Sequence, residues 1–310
     1  MQYTRAAGVA AAVVALVAGY IRAAEPPAAE AGAKSKFLRF VDDNEGGGRL
    51  ETAIVTYRND AGVTVDLIGA VHVAEAAYYK LLREKFTAYD ALLYELIKPA
   101  EGGAAPVEKT RSTTFLATLQ QVMKDVLELE FQLDHIDYNA PNFVHADLDL
   151  ETFQRLQAER GENIFMLMLR QMLADMNRPR NVTETTLTEL LIALLSPDRA
   201  RHLKLLLAKN FEDIEEQMAA LEGPGGSVIL TERNKAAIRV LDRTIAAGKK
   251  KIGLFYGAAH MNDLEKRVKE MGFRYVRTQW LTAWDMTARE GDLIITVKKR
   301  RAPQPQEEQK

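Results

Sequence analysis

The sequence predicts an α/β fold, in which a mixed or mostly parallel sheet is flanked by helices and interrupted by a large helical insertion. Three observations predict it. Short β-rich runs alternate with amphipathic helices near both ends of the chain, the order strand, helix, strand occurs twice, and a long helical stretch separates the two copies. Strand–helix–strand units build parallel sheets with helices packed on their faces.

The first part of the predicted fold begins with a hairpin. Residues 49–58 and 63–71 are β-rich runs separated by Asn-Asp-Ala-Gly, which predicts that they pair. Residues 75–86 carry apolar side chains at helical spacing, as in an amphipathic helix. Residues 90–97 form a short apolar run typical of a buried parallel strand. A hairpin followed by a helix and a parallel strand is therefore expected.

Residues 110–222 change to a helical pattern, broken by one predicted strand at 142–146. Two leucine-rich stripes at helical spacing and a methionine-rich stretch at 165–176 are interpreted as core. Gly-Pro-Gly-Gly at 223–226 is interpreted as a turn, because it lacks the Lys-Ser/Thr of a phosphate-binding loop. After it we expect a helix, a strand, a helix and two strands, at residues 231–247, 251–256, 262–271, 274–284 and 292–297.

Both ends are expected to lie outside the folded domain, which we place at residues 37–298. An arginine followed by a short apolar run predicts a secretory signal peptide over residues 1–24, with cleavage favoured over a retained anchor. Residues 25–36 are interpreted as a disordered spacer and residues 299–310 as a disordered tail. The protein is thus expected to be exported, to the periplasm or beyond the cell, or to be held in the inner membrane by an uncleaved N-terminal segment.

Charge and composition narrow the functional classes. The chain has 41 Lys and Arg against 43 Asp and Glu, a formal charge of -2, which gives no field to attract nucleic acid. The expected partner is a peptide or a small molecule. The chain has no cysteine, which excludes disulfide scaffolds, cysteine-ligated metals and thiol nucleophiles. Any metal site must use histidine, carboxylate or neutral oxygen ligands.

Two copies of Gly-x-x-His are the main chemical signal. His72 closes the first copy and His260 the second, and each lies where a predicted strand gives way to a helix. Glycine suits a chain that turns sharply out of a strand. Because open α/β sheets bind ligands at the carboxyl ends of their strands, we expect both imidazoles to share one crevice and to bind a divalent ion. For a single histidine, packing or helix capping is the alternative.

Acidic, basic and amide side chains extend this candidate site. Glu95 lies at the end of an apolar predicted strand. It is predicted to be a metal ligand or a general base, and the alternative is an ordinary exposed strand end. The helix before the second motif opens with a triplet in which Glu232 is a candidate ligand, while Arg233 and Asn234 are candidate substrate contacts. The alternative for the triplet is a solvated helix turn with Glu232 paired to Lys235.

The remaining histidines are weaker candidates. His145 and Asp147 lie in or next to a predicted strand that can face the crevice, and they are predicted to contact the substrate. His135 and His202 are expected to be structural.

Over about residues 37–297 the chain resembles the TraB/PrgY/Tiki family, also called TraB/GumN, of the ChaN and erythromycin-esterase-like superfamily. The resemblance rests on the two Gly-x-x-His motifs, Glu95 and the triplet at 232–234, in the family's order. It implies an α/β core with a helical insertion and, by analogy with the Tiki branch, a divalent-metal-dependent peptidase. His72 and His260 would then be ligands, Glu95 a ligand or general base, and Arg233 a contact to the substrate or transition state.

Three functions are compatible with these residues. The first is an exported, peptidase-like hydrolase that depends on Mn, Co or Zn. The second is a non-catalytic protein that binds a peptide or haem in the same cleft. The third is an esterase-like hydrolase that uses both histidines without a metal.

Overall fold

The structure is a computed structural model that describes residues 36–100, 124, 126–162, 193, 195–209 and 226–288. Its strands are β1 (Leu38–Asp42), β2 (Gly48–Arg58), β3 (Thr64–Ala70), β4 (Val73–Ala74), β5 (Ala91–Tyr94), β6 (Glu130–Phe131), β7 (Phe143–His145), β8 (Lys251–Gly257) and β9 (Arg274–Asp285). Its α-helices are α1 (Ala76–Phe86), α2 (Gln132–His135), α3 (Leu150–Arg160), α4 (Arg199–Ala208), α5 (Arg233–Ala246) and α6 (Met261–Glu270).

The main sheet has seven strands in the order β1-β2-β3-β8-β5-β7, with β9 paired along β2. The pairs that β2 makes with β1, β3 and β9 are antiparallel. The pairs β3–β8, β8–β5 and β5–β7 are parallel. The predicted α/β class with a mixed sheet is therefore confirmed, and four neighbouring strands end at the same edge.

Most predicted elements in the described residues are present. The hairpin of β2 and β3 aligns Ile54 with Ile68, and α1, β8 and β9 match their predicted bounds to within one residue. The strand predicted at residues 90–97 is shorter and ends at Tyr94. The predicted signal peptide, the methionine-rich stretch and the strand at residues 292–297 lie outside the described residues.

The described part of the predicted insertion is built into the sheets as well as into helices. It contributes α2, α3 and α4, and its strand β7 lies beside β5 in the main sheet. Its other strand, β6, pairs with β4 to form a separate two-stranded sheet. Within the parts of the chain that the structure describes, no helix is long and apolar enough to cross a membrane.

The core lies in two layers, one on each face of the main sheet. Side chains of α1 form one layer, and side chains of α5 and α6 form the other. Strand β8 supplies both, because successive side chains of a strand point to opposite faces. Phe255 packs in the first layer, whereas Leu254 and Tyr256 pack in the second. Strand β8, which precedes the second Gly-x-x-His histidine, is therefore fixed by packing on both faces of the sheet.

A glycine in β8 gives a test of this packing. A Cβ on Gly253 would lie 2.5 Å from Cδ1 of Leu92 and 3.0 Å from Cδ1 of Ile68, both of which are fully buried. We expect Gly253→Ala to lower the free energy of unfolding by about 1–3 kcal/mol, since the core must repack. The matched control is Gly69→Ala, where the nearest heavy atom is 3.4 Å away. Urea unfolding that shows equal stability for the two variants would contradict this packing.

Candidate functional site

The carboxyl ends of four adjacent parallel strands carry the candidate site residues. His72 follows β3, Glu95 follows β5, and Asp147 follows β7. His260 ends a 3₁₀ turn, Ala258–His260, that follows β8. The structure thus brings the residues of both Gly-x-x-His motifs to one edge of the sheet, the edge at which α/β proteins bind ligands.

Glu95 is at the centre of the site, and its side chain is only 9% exposed. Its Oε2 accepts a hydrogen bond from the backbone N–H of Gly257 at 2.7 Å. Its Oε1 lies 2.8 Å from Nη2 of Arg233 and 3.5 Å from Nε2 of His260. Both carboxylate oxygens are therefore held by groups from other parts of the chain.

Two opposing effects set the pKa of Glu95. Burial raises it, because a carboxylate loses its hydration. Interactions with the imidazole of His260, the guanidinium of Arg233 and the imidazole of His72 act in the opposite direction and outweigh burial, so the pKa lies well below its ordinary value. Glu95 is therefore ionised over the whole physiological pH range.

His260 is buried and held in one tautomer. Its Nδ1 lies 2.7 Å from Oδ1 of Asn234, which can only accept, so Nδ1 carries the proton. The Asn234 amide is fixed because its Nδ2 donates to Oδ2 of Asp263 at 2.9 Å and to the backbone oxygen of His260 at 3.3 Å. Nε2 is thus the ring atom that faces Glu95.

This arrangement corrects the role expected of Asn234. We expected a substrate contact, but Asn234 is fully buried beneath the histidine and positions its ring.

His72 is exposed and faces Glu95 from the other side of Gly257. A Cβ on Gly257 would lie 3.4 Å from Nε2 of His72 and 3.4 Å from Oε2 of Glu95. The other ring nitrogen, Nδ1, lies 3.3 Å from Oε1 of Gln132. In both histidines Nδ1 meets an amide oxygen and Nε2 points towards the carboxylate side of the site.

The glycine of the second motif has a different role from the one expected. Gly257 has φ −54° and ψ 144°, which any residue can adopt, so the turn does not require glycine. A side chain there would instead stand in the space between His72 and Glu95. Gly257 therefore keeps that space open.

Arg233 links Glu95 to Asp147. Its Nε and Nη2 donate to the two carboxylate oxygens of Asp147 at 2.9 and 2.5 Å, and the Asp147 side chain is fully buried. Burial lowers the pKa of Arg233, but Asp147 and Glu95 outweigh it and raise the pKa, so the guanidinium is charged. No hydrogen bond within the described part of the chain engages Nη1 of Arg233, which leaves two N–H groups for a ligand.

The backbone before Arg233 is irregular. Residues Val228–Glu232 form a π-helical turn, in which the N–H of Glu232 donates to the oxygen of Ser227 at 3.0 Å. Such turns recur at functional sites, where they re-aim a side chain.

Two predicted site residues do not join the site. Glu232 pairs with Arg160 and with Nζ of Lys235, the latter at 2.9 Å, so the expected pairing with Lys235 is present, but the side chain is only 15% exposed. It is not positioned as a metal ligand. His145 has Nε2 2.7 Å from the backbone oxygen of Leu96. The substrate contact predicted for His145 stays a prediction.

Sequence reasoning missed three polar residues near the site. Gln132 contacts His72 and donates from Nε2 to the hydroxyl of Tyr138 at 2.8 Å. Tyr256 donates to the backbone oxygen of Ala146, and its ring meets that of His260 edge-on at 5.3 Å. Tyr256 could have been noticed beside the second motif, but no motif marks Gln132 or Tyr138.

The charges of the site do not cancel. Glu95 and Asp147 are two buried carboxylates, and Arg233 balances one of them. A second proton on His260 or a bound cation would balance the other, since uncompensated buried charge is costly. The residues that the structure describes contain no group of three or more His, Asp or Glu side chains placed to hold a metal ion. Glu95, the natural third ligand, is already bound to Arg233 and Gly257.

Comparisons of the chain with protein-family models, with curated proteins and with solved structures found no match. The resemblance to the TraB/PrgY/Tiki family therefore stays an expectation carried by the motifs.

The low pKa of Glu95 predicts a pH dependence of stability. A carboxyl group whose pKa is lower in the folded protein stabilises it above the ordinary pKa of 4.5, and this contribution is lost as pH falls towards the folded value. We expect Glu95→Gln to cost about 3 kcal/mol at pH 7, with the difference from wild type shrinking below pH 4.5. The measurement is urea unfolding at pH 7, 5 and 3.

The matched control for this experiment is Glu84→Gln, on the exposed side of α1. The free energy of unfolding of the Glu84→Gln variant should equal that of the wild type at every pH. A Glu95→Gln difference that stays constant from pH 7 to pH 3 would contradict the ionised, ion-paired carboxylate.

Proposed function

We propose that the protein is a hydrolase that cleaves peptide or ester bonds of an exported substrate, with His72, Glu95, His260 and Arg233 as its reacting groups. One observation carries the proposal. An ionised, buried carboxylate contacts a guanidinium and faces two imidazoles whose Nδ1 atoms both meet amide oxygens. Perturbed, convergent titratable groups of this kind are typical of catalytic sites.

His72 is the proposed general base. It is exposed, and with Nδ1–H donated to Gln132 its Nε2 has a free lone pair beside Gly257. A water molecule in that space gives its proton to Nε2 as its oxygen bonds to the carbonyl carbon of the substrate. The general base therefore lies on the solvent-exposed side of the site.

Arg233 and His260 complete the proposed reaction. The free N–H groups of Nη1 of Arg233 stabilise the negative charge that develops on the carbonyl oxygen. His260 holds a second proton between Nε2 and Oε1 of Glu95, a separation of 3.5 Å. It gives this proton to the amine or alcohol that leaves as the bond to the carbonyl carbon breaks. Glu95 keeps the protonated ring charged and oriented.

A metal-dependent hydrolase is the second candidate, and one observation favours it. Metal-binding histidines commonly donate their second ring N–H to a neighbouring acceptor, as His72 and His260 do. These two residues and Glu95 would hold the ion, which lowers the pKa of its bound water and polarises a carbonyl group. The metal-free candidate is preferred because Glu95 already pairs with the guanidinium of Arg233, whose positive charge a metal ion on the same carboxylate would adjoin.

The resemblance to the TraB/PrgY/Tiki family is compatible with both the metal-free and the metal-dependent hydrolase. The Tiki branch of the family corresponds to the metal-dependent hydrolase, and the erythromycin-esterase branch of the superfamily to the metal-free one. Mn, Co and Zn are the ions to test.

The experiment is to assay a peptide library and simple esters in strong chelator and then after adding Mn, Co or Zn. The preferred candidate predicts hydrolysis in chelator that falls at least about 100-fold in His72→Ala. Hydrolysis only after metal addition would support the second candidate instead. Peptide or haem binding without hydrolysis under any condition would overturn both in favour of a non-catalytic binding protein.

The open space at Gly257 gives a sharper test. Gly257→Ala places a methyl group between Nε2 of His72 and Oε2 of Glu95, where the attacking water is proposed to lie. We expect kcat/KM to fall at least about 10-fold, equivalent to about 1.4 kcal/mol, while stability changes little. Gly69→Ala, in the other motif, is the matched control because its methyl group would not enter the site. Unchanged kinetics for Gly257→Ala would contradict the proposed position of the water.

Arg233 offers a test of charge stabilisation. Arg233→Lys keeps the charge but loses the forked contact to Asp147 and the free Nη1 group. We expect kcat to fall by about 100- to 1,000-fold with a smaller change in KM. Arg239→Lys, on the exposed face of the same helix, is the control and should leave both constants unchanged. A pure KM effect at Arg233 would indicate substrate binding alone.

A further inference from the structure

Gln132 holds His72 at two points. Its side-chain Oε1 lies 3.3 Å from Nδ1 of the His72 ring, and its backbone N–H donates to the backbone oxygen of His72 at 3.0 Å. Gln132 is only 6% exposed, whereas His72 is exposed. A buried residue thus anchors an exposed one.

The amide of Gln132 is oriented by an aromatic cluster. Its Nε2 donates to the hydroxyl of Tyr138 at 2.8 Å, and its Oε1 faces His72. The ring of Tyr138 packs at 5.0 Å on Tyr94 of β5 and at 6.0 Å on Phe143 of β7. The orientation of the amide is therefore tied to the main sheet.

A short strand pair brings Gln132 to His72. Strand β4, which begins one residue after His72, pairs with β6, and Val73 lies opposite Phe131. Gln132 follows β6 directly and begins α2. Strand β6 and helix α2 belong to the predicted insertion, so the insertion supplies part of the site.

The two histidines are held by the same chemistry from different parts of the chain. Asn234, next to Arg233, presents its amide oxygen to Nδ1 of His260. Gln132 presents its amide oxygen to Nδ1 of His72. An amide oxygen accepts but does not donate, so each contact requires a proton on Nδ1, and in the neutral ring of His72 this leaves Nε2 free to accept.

We propose that Gln132 is the positioning residue of His72. It fixes the tautomer in which Nε2 is the acceptor beside Gly257 and Glu95, and it holds the ring with Nε2 directed towards these residues. The inference rests on the proposed function for its effect on catalysis. The tautomer itself can be measured without any substrate.

The first test is the tautomer of His72 in the wild-type protein, read from long-range ¹H–¹⁵N NMR correlations of the neutral ring. The expected result is Nδ1–H, as the contact to Oε1 of Gln132 requires. Predominant Nε2–H would overturn the proposal. The measurement needs no variant, so it decides even if a substitution prevents folding.

The second test compares two variants at this position. Gln132→Met keeps the volume but removes the acceptor, and it should produce a mixture of tautomers and a fall in kcat of about 10- to 100-fold with KM nearly unchanged. Gln132→Glu keeps an acceptor at the same place and should restore Nδ1–H and most of kcat. Unchanged tautomer and kcat in Gln132→Met would overturn the positioning role.

The matched control is Gln279→Met, which makes the same chemical change at an exposed residue that bonds to Lys85. It should change neither kcat nor the His72 resonances. Failure of the proposed function is separately recognisable: no substrate would be hydrolysed, or His72→Ala would keep full activity, while the tautomer still depended on Gln132.

Discussion

The buried ion pair of Glu95 and Arg233 is the interaction on which the rest of the site depends. A carboxylate that is nearly removed from water is stable only if charges and donors surround it. Here Arg233, the backbone of Gly257 and the nearby His260 meet that requirement. The carboxyl ends of β5 and β8, the start of α5 and the turn after β8 are thereby held together, and the two imidazoles are arranged around the same anion.

Much of this arrangement was predictable from the sequence. Apolar runs with intervening amphipathic helices define β3, β5 and β8, and parallel strands end at one edge, so His72, Glu95 and His260 were expected there. The side-chain contacts of the site could not be predicted, because they depend on the exact direction of each side chain and not only on the spacing of apolar residues. Glu232 and Arg233 are adjacent, yet successive helical residues point about 100° apart. Arg233 therefore reaches Glu95, while Glu232 reaches Arg160.

The side-chain amides of Asn234 and Gln132 also differ in how much of their role the sequence predicts. Asn234 was recognisable as polar and near the motif, but only the fold shows that it is buried under His260. Gln132 is placed by a strand pair of two residues on each side, which leaves no periodic signal. His145 ends β7 and bonds through Nε2 to the backbone oxygen of Leu96, a contact that no sequence pattern marks. Long-range contacts decided each of these cases.

The most direct test of the account is the ¹⁵N NMR spectrum of the imidazoles with and without Glu95→Gln. Loss of the carboxylate charge should shift the Nε2 resonances of both His72 and His260, because both rings face that one anion. The ring of His202, which bonds to the backbone oxygen of Asp198 away from the site, should not move. A change confined to one ring of the pair, or shared equally by all of the histidines, would contradict a common centre.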